Sequence, residues 1–248
     1  VINRKIWILT LFPEYFKPLL DCGISGAALR GERSENIKFE IHIVNIRDYS
    51  FTRYKSVDDT PYGGGPGMVM RADILRDALM NGVVHAGSYI DRSKLHVVYT
   101  SPRGKVWSNK VARDFGMNVL SHPEKDIVFV CGRYEGVDER FLQKYVDDYY
   151  SVGDFVLTGG ELAVMTMLDS AVRFVPGILG NKLSSEHDSF EDNLIEYPQY
   201  TKPQDFEGML VPDVLMSGHH KKIEEWQLEE KERMTKKWRP DLFKKDYR

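Results

Sequence analysis

The sequence predicts an α/β fold built on a largely parallel sheet, followed by a small, mostly helical domain. Short apolar, β-branched runs at residues 6–11, 39–44, 95–100, 127–131 and 155–157 read as buried strands. Between them, apolar residues recur at helical spacing: Ile74, Leu75, Ala78 and Leu79, then Val111, Phe115 and Val119, then Phe141, Leu142 and Tyr145. Strands alternating with helices imply a parallel sheet covered on both faces. After residue 180 the texture turns polar and proline-punctuated, and it ends in a charged helical pattern.

Each element carries its own signal. The first run sits in VINRKIWILTLF, which imitates a leader peptide but meets Pro13 and Glu14 without a small-residue cleavage site, so it reads as a buried strand. The stretch GELAVMTMLDSAVRF, residues 160–174, is apolar nearly all round and predicts a deeply buried helix, which VPG at 175–177 terminates. Residues 180–196 are polar and acidic with few core formers, as expected of a linker or mobile loop. A charged helix is expected from about Ser217, anchored by Ile223, Trp226 and Leu228. The expected organisation is therefore a domain at 1–179, a flexible linker at 180–196 and a helical domain at 197–248.

Composition narrows the function classes. The 248 residues carry ordinary hydrophobic (42%) and charged (29%) fractions, enough for a real core. No apolar run approaches the roughly 20 residues of a membrane span. Cys22 and Cys131 lie outside any C-x-x-C or zinc-ligand pattern and read as reduced packing residues of a cytoplasmic protein. His219 and His220 are adjacent rather than spaced i, i+4, which argues against a metal site there. The net charge of −3 speaks against a wholly basic surface, yet from Ser217 onward ten Lys/Arg face seven Asp/Glu.

Glycine marks the candidate site. Residues 60–68, TPYGGGPGM, combine four glycines with two prolines, but neither G-x-x-x-x-G-K-[ST] nor G-x-G-x-x-G occurs, so phosphate-loop and dinucleotide templates both fail. Alone, such a loop is more often a rigid turn than a ligand site. Two further clusters, CGRYEGVDER at 131–140 and SVGDFVLTGGEL at 151–162, each follow an expected strand and precede an expected helix. Both should emerge at the C-terminal edge of the sheet, where open α/β folds bind ligands.

In order and spacing, PYGGGPGM, SPRG, VCGRYEGVDER, SVGDFVLTGGEL, RFVPGILG, DSF, YPQYTKP and VPDVLMSGHH resemble the bacterial tRNA (guanine-N1-)-methyltransferases of the SPOUT superfamily. The resemblance spans nearly the whole chain. It implies an α/β domain with a C-terminal trefoil knot, S-adenosylmethionine bound in that knot, and a homodimer with the active site at the subunit interface. The implied donor pocket uses Tyr99, Ser101, Pro102, Gly132, Tyr134, Glu135, Val152, Gly153, Asp154, Phe155, Val156 and Leu157. Without the resemblance, the last six read as a plain core strand. Asp58 and the loop glycines Gly63, Gly65 and Gly67 would lie beside the target base.

The implied chemistry is methylation of N1 of the guanine immediately 3′ of the anticodon. That nitrogen is protonated at neutral pH and is a much weaker acid than a carboxyl, by several pKa units worth about 1.36 kcal/mol each. A carboxylate base therefore needs a cation to stabilise charge on O6. By resemblance Asp188 is the base and Arg173 that cation. An aspartate in a polar loop and an arginine in a last helical turn have bland readings as well, as a solvated charge and a macrodipole complement. The C-terminal lysines would contact tRNA phosphates, and the target base would be turned out of its stack. Magnesium dependence in the family leaves a metal open, although no carboxylate cluster marks a site. The chain has Arg103 and Ala163 where the family commonly has Gln and Pro. Two other readings stay open: a ribose 2′-O-methyltransferase of the same superfamily, and a non-catalytic RNA-binding protein.

Overall fold

The computed structural model describes residues 1–122, 124–179 and 188–244. The strands are β1 (Ile2–Thr10), β2 (Ile37–Asn45), β3 (Asp58–Asp59), β4 (Val69–Met70), β5 (Leu95–Val106), β6 (Asp126–Val130), β7 (Asp148–Ser151), β8 (Asp205–Phe206) and β9 (Met209–Leu210). The helices are α1 (Lys17–Asp21), α2 (Gly23–Leu29), α3 (Ala72–Leu79), α4 (Asn109–Asp114), α5 (Glu139–Tyr145), α6 (Glu161–Val172), α7 (Asp213–Met216) and α8 (His220–Trp238). The chain folds into two units, Val1–Gly180 and Asn181–Arg248.

The first unit is organised by a five-stranded sheet of order β2-β1-β6-β5-β7. Every pairing in it is parallel. Successive side chains alternate between two cores: Ile6, Ile8, Ile127 and Phe129 enter the layer that holds α2, α4 and α6, whereas Trp7, Leu9, Val128 and Val130 enter the layer under α3 and α5. Burial on both faces is why these strands read as continuous apolar runs. Phe129 is fully buried, and truncating such a side chain to Ala costs about 3–5 kcal/mol.

Two expectations are corrected here. The edge strand is β7 at Asp148–Ser151, not residues 155–157; Phe155 and Val156 are 58% and 91% exposed, in a loop that Gly153 bends at φ +150°. The β7 sequence DYYS looks polar, and it becomes buried because Tyr150 packs edge-on against Trp107 and Phe115 at 5.1 and 5.7 Å. The helix α6 is buried on one broad face only, since Leu162, Thr166 and Asp169 form an exposed stripe.

The second unit is held by α8. Trp226 meets Tyr197 and Tyr200, each at 6.3 Å. Leu228, an expected anchor, is instead 52% exposed. Its place is taken by Thr235, whose hydroxyl accepts from the Ile195 N–H at 2.9 Å, and by Lys231, paired with Asp192 at 2.6 Å. Residues 188–196 thus fold against α8, while 180–187 of the expected linker lie outside the described residues.

Candidate active site

The strands β5, β6 and β7 end together, and their C-terminal loops enclose a cavity of about 300 Å³, at the lower end of small-molecule sites. Each loop is shaped by a close approach. β5 bulges between Thr100 and Lys105, so that Ser101 and Pro102 face the cavity. After β6, Gly132 passes so near the Tyr99 ring that a Cβ would lie 2.6 Å from its hydroxyl oxygen. After β7, the chain returns to α6 past Gly160, whose N–H donates to the Gly132 carbonyl at 2.9 Å.

Of the expected donor residues, Tyr99, Ser101, Pro102, Gly132, Tyr134, Glu135, Val152, Gly153, Phe155, Val156 and Leu157 all line this cavity; Asp154 does not. Sequence reasoning missed Thr100, Tyr150, Gly160 and Ala163, which also line it. The TGGEL cluster pointed at Gly160, whereas Thr100 and Tyr150 become visible only through the β5–β7 register. Thr100 Oγ1 is buried without a hydrogen-bond partner among the described residues, which leaves it available to a polar ligand atom. Exposed backbone on the glycine side and an apolar wall of Val152, Phe155 and Leu157 suit a flat heterocycle with an aliphatic arm.

At the cavity wall lies an ion pair, one member of which, Arg133, is itself a lining residue. Glu161, the first residue of α6, is 1% exposed; it accepts from Thr10 Oγ1 at 2.8 Å and meets Arg133 at 2.9 Å. Arg133 also donates to the Thr158 carbonyl at 3.1 Å and lies over the Phe12 ring at 4.5 Å. Burial opposes its charge, but its pairing with Glu161 and the nearby Tyr15 together prevail and raise its pKa. Tyr150 is pushed up to about 12, mainly by burial and then by Asp148 and Asp114.

The glycine loop adjoins this cavity at one point. Glu135 N–H donates to the Met68 carbonyl at 3.0 Å. Gly67 (φ +81°) occupies a place where a Cβ would fall 2.5 Å from Glu135 Cγ. Gly63 and Gly65 also have positive φ, yet a Cβ on either would meet nothing within 4 Å beyond its chain neighbours, and with Asp58 they lie outside the cavity lining. A larger groove of about 1020 Å³ runs between β3–β4 and α3–α5. Its arginines are already matched, Arg71 to Asp73 at 2.7 Å and Arg140 to Asp138 at 2.6 Å. The smaller cavity is the better candidate for chemistry because it collects the strand ends.

Arg173 caps the C-terminal end of α6 and is half-buried, with its guanidinium 5.9 Å from the Phe174 ring centroid. Asp188 belongs to the second unit, where its carbonyl accepts from the Glu191 N–H at 3.4 Å. Among the described residues, no group of three or more His, Cys, Asp or Glu could hold a metal ion. None of their helices is long and apolar enough to cross a membrane.

Comparison with known proteins adds a family match. Residues 4–245 match the family model tRNA (Guanine-1)-methyltransferase TrmD. The tRNA (guanine-N(1)-)-methyltransferase of Clostridioides difficile is 45% identical over 241 residues, covering 97% of this chain and 98% of the relative. The protein of the same name from Actinobacillus pleuropneumoniae is 44% identical over 238 residues, 96% and 90% of the two chains. That from Haemophilus influenzae is 43% identical over 238 residues, with the same coverage.

Proposed function

This chain belongs to the tRNA (guanine-1)-methyltransferase family, and from that premise we propose how its residues divide the work. The enzyme transfers a methyl group from S-adenosylmethionine to N1 of a guanine in tRNA. The guanine is the one immediately 3′ of the anticodon. The observation that carries the reading is the cavity at the ends of β5, β6 and β7, which fits the methyl donor: the orphaned Thr100 hydroxyl and the exposed backbone around Gly132 suit adenine, and the Val152–Phe155–Leu157 wall suits the methionine arm.

When bound, the donor supplies a methyl on an activated sulfonium, so the chain's own task lies on the acceptor side. Asp188 takes the N1 proton as the new N–C bond forms, and Arg173 stabilises the charge gathering on O6. Asp58, Gly63, Gly65 and Gly67 hold the base, with the open positive-φ backbone of Gly63 and Gly65 facing it and Gly67 packed against Glu135. This assignment asks little of the donor loops beyond orientation and exclusion of water.

The remaining organisation follows the same reading. The close crossing of Gly160 over Cys131 and Gly132 supports a trefoil knot at the end of the first domain, residues 1–179. Exposed Leu162, Phe155 and Val156 support a homodimer whose partner completes the active site across the interface. Residues 180–196 connect the first domain to a tRNA-binding domain at 197–248, and the enzyme works in the cytoplasm. Lys231 is committed to Asp192, so phosphate contacts fall to other cations of α8, such as Lys221, Lys222 and Lys236.

A tritium-transfer assay on unmodified tRNA tests this. Base methylation at N1 that falls at least about a hundredfold in both D188N and R173A is expected. Ribose methylation, or binding without transfer, would instead support the other two readings of the sequence.

A further inference from the structure

The loop between β2 and β3 has no role in the site described above, yet it is built to present two rings. The Ser50 hydroxyl donates to the Ser56 carbonyl at 2.6 Å, the Ser56 N–H to Thr52 Oγ1 at 2.7 Å and the Lys55 N–H to the Thr52 carbonyl at 3.0 Å. Its root is fixed by Val57, which is buried and whose carbonyl accepts from the Arg71 N–H at 2.9 Å. These bonds close the turn without any help from its large side chains. Phe51 and Tyr54 are nevertheless 86% and 83% exposed, and Arg53 lies 5.7 Å from the Tyr54 ring centroid.

Exposed rings add nothing to folding, because burial is what stabilises apolar surface. Their setting is electrostatically distinct as well. Arg47, Arg53 and Lys55 outnumber Asp48 along this loop, in a chain whose net charge is −3; Lys55 meets Asp48 at 3.5 Å with both side chains more than half exposed, a loose pair that an arriving phosphate can replace. Rings interleaved with cations are the elements of a single-stranded nucleic-acid platform, in which bases stack and phosphates are neutralised. The loop also runs directly into β3 and the glycine loop, to which the target base is assigned above.

We propose that Phe51 and Tyr54 form a stacking platform for unpaired bases of the tRNA substrate, with Arg53 and Lys55 holding the adjoining phosphates. This rests on the reading of the chain as a tRNA methyltransferase, and it concerns substrate capture rather than methyl transfer.

The test is equilibrium binding of unmodified tRNA transcript to the full-length protein by filter retention, over a series of salt concentrations. F51A/Y54A should raise Kd about tenfold or more, and F51Y/Y54F should restore it. R53Q/K55Q should weaken binding and flatten the dependence of log Kd on log salt by about one to two. S-adenosylmethionine affinity and sedimentation should match the parent in every variant. An unchanged tRNA Kd in F51A/Y54A overturns the platform, and so does a changed sedimentation coefficient, which would give the rings to a protein contact. A parent that binds tRNA without methylating it would count against the proposed activity alone, since the binding comparison stands by itself.

Discussion

Arg133, at the cavity wall, and Glu161 meet at 2.9 Å, and they tie the loop after β6 to the first turn of α6. Both are well buried, at 13% and 1% exposure, and the second glutamate oxygen is held by Thr10. Such a pair is weak evidence of net stabilisation, but removing one partner strands the other charge, at a cost of about 3–5 kcal/mol. E161Q is therefore expected to lower the melting temperature by about 6–20 °C for a chain of this size. A differential scanning experiment that finds the variant within about 2 °C of the parent would rule out the pair as a structural tie.

Gly67 and Gly64 share a positive φ, +81° and +78°, but only Gly67 has Glu135 where its side chain would be. Alanine at either position pays for the backbone conformation, about 1 kcal/mol. G67A should in addition displace Glu135 from the cavity wall and reduce methyl transfer by about tenfold or more, whereas G64A should keep that wall intact. Comparing donor affinity by calorimetry in the two variants separates displacement of Glu135 from shared backbone strain.

What could be read in the sequence depended on whether its cause was local. The central strands were legible because burial on both faces leaves unbroken apolar runs such as IVFV at 127–130. β7 was not, because Tyr150 is buried by Trp107 and Phe115, partners that sequence order does not bring near. The loops of the cavity announced themselves through glycine clusters, whose cause is a tight local backbone. Thr100 and the pairing of Arg133 with Glu161 depend on register and on a long-range crossing, so no window of sequence contains them. Leu228 failed for the converse reason: its spacing fits an anchor, but Thr235 and Lys231 hold that helix instead.

Tyr150 should leave a signature in alkaline stability. Burial, then Asp148 and Asp114, raise its pKa to about 12 from an ordinary 10.0. The neutral phenol is thus favoured by the fold. Its contribution is complete below about pH 10 and is lost as pH rises from there through about 12. The shift corresponds to at most about 3 kcal/mol. Tyr89 is raised as well, so the parent alone cannot isolate the effect. Denaturant titrations of parent and Y150F at about pH 8, 10 and 11.5 should run parallel up to about pH 10. Above it, the parent should lose stability relative to Y150F.

Arg103 sits in the β5 bulge between Thr100 and Lys105, and its surroundings bound its weight. It pairs with Glu139 at 2.9 Å, both side chains about half exposed, and lies 5.0 Å from the Tyr149 ring centroid. An exposed pair contributes about 0–1 kcal/mol and an exposed cation–π contact about 0.5–1 kcal/mol. R103Q should thus shift the melting temperature by no more than about 8 °C, with the shift shrinking further in roughly 1 M salt. A larger or salt-independent loss would mean that Arg103 holds the β5 bulge itself.

The two cysteines offer a direct probe of how closed the cavity floor is. They looked alike in the sequence, but Cys22 is exposed and Cys131 fully buried. Burial above all, and then the charge of Glu161, push the Cys131 thiol up, with Arg133 only partly opposing. Since the thiolate is the reactive form, both access and ionisation protect Cys131. A disulfide reagent at about pH 8 should therefore modify one thiol per chain rapidly and the second only at the rate of unfolding. In C22S the fast phase should vanish. Should C22S still react fast, then the floor under Gly132 must open in the native protein, and the orientation of Tyr99 against that loop could not be maintained.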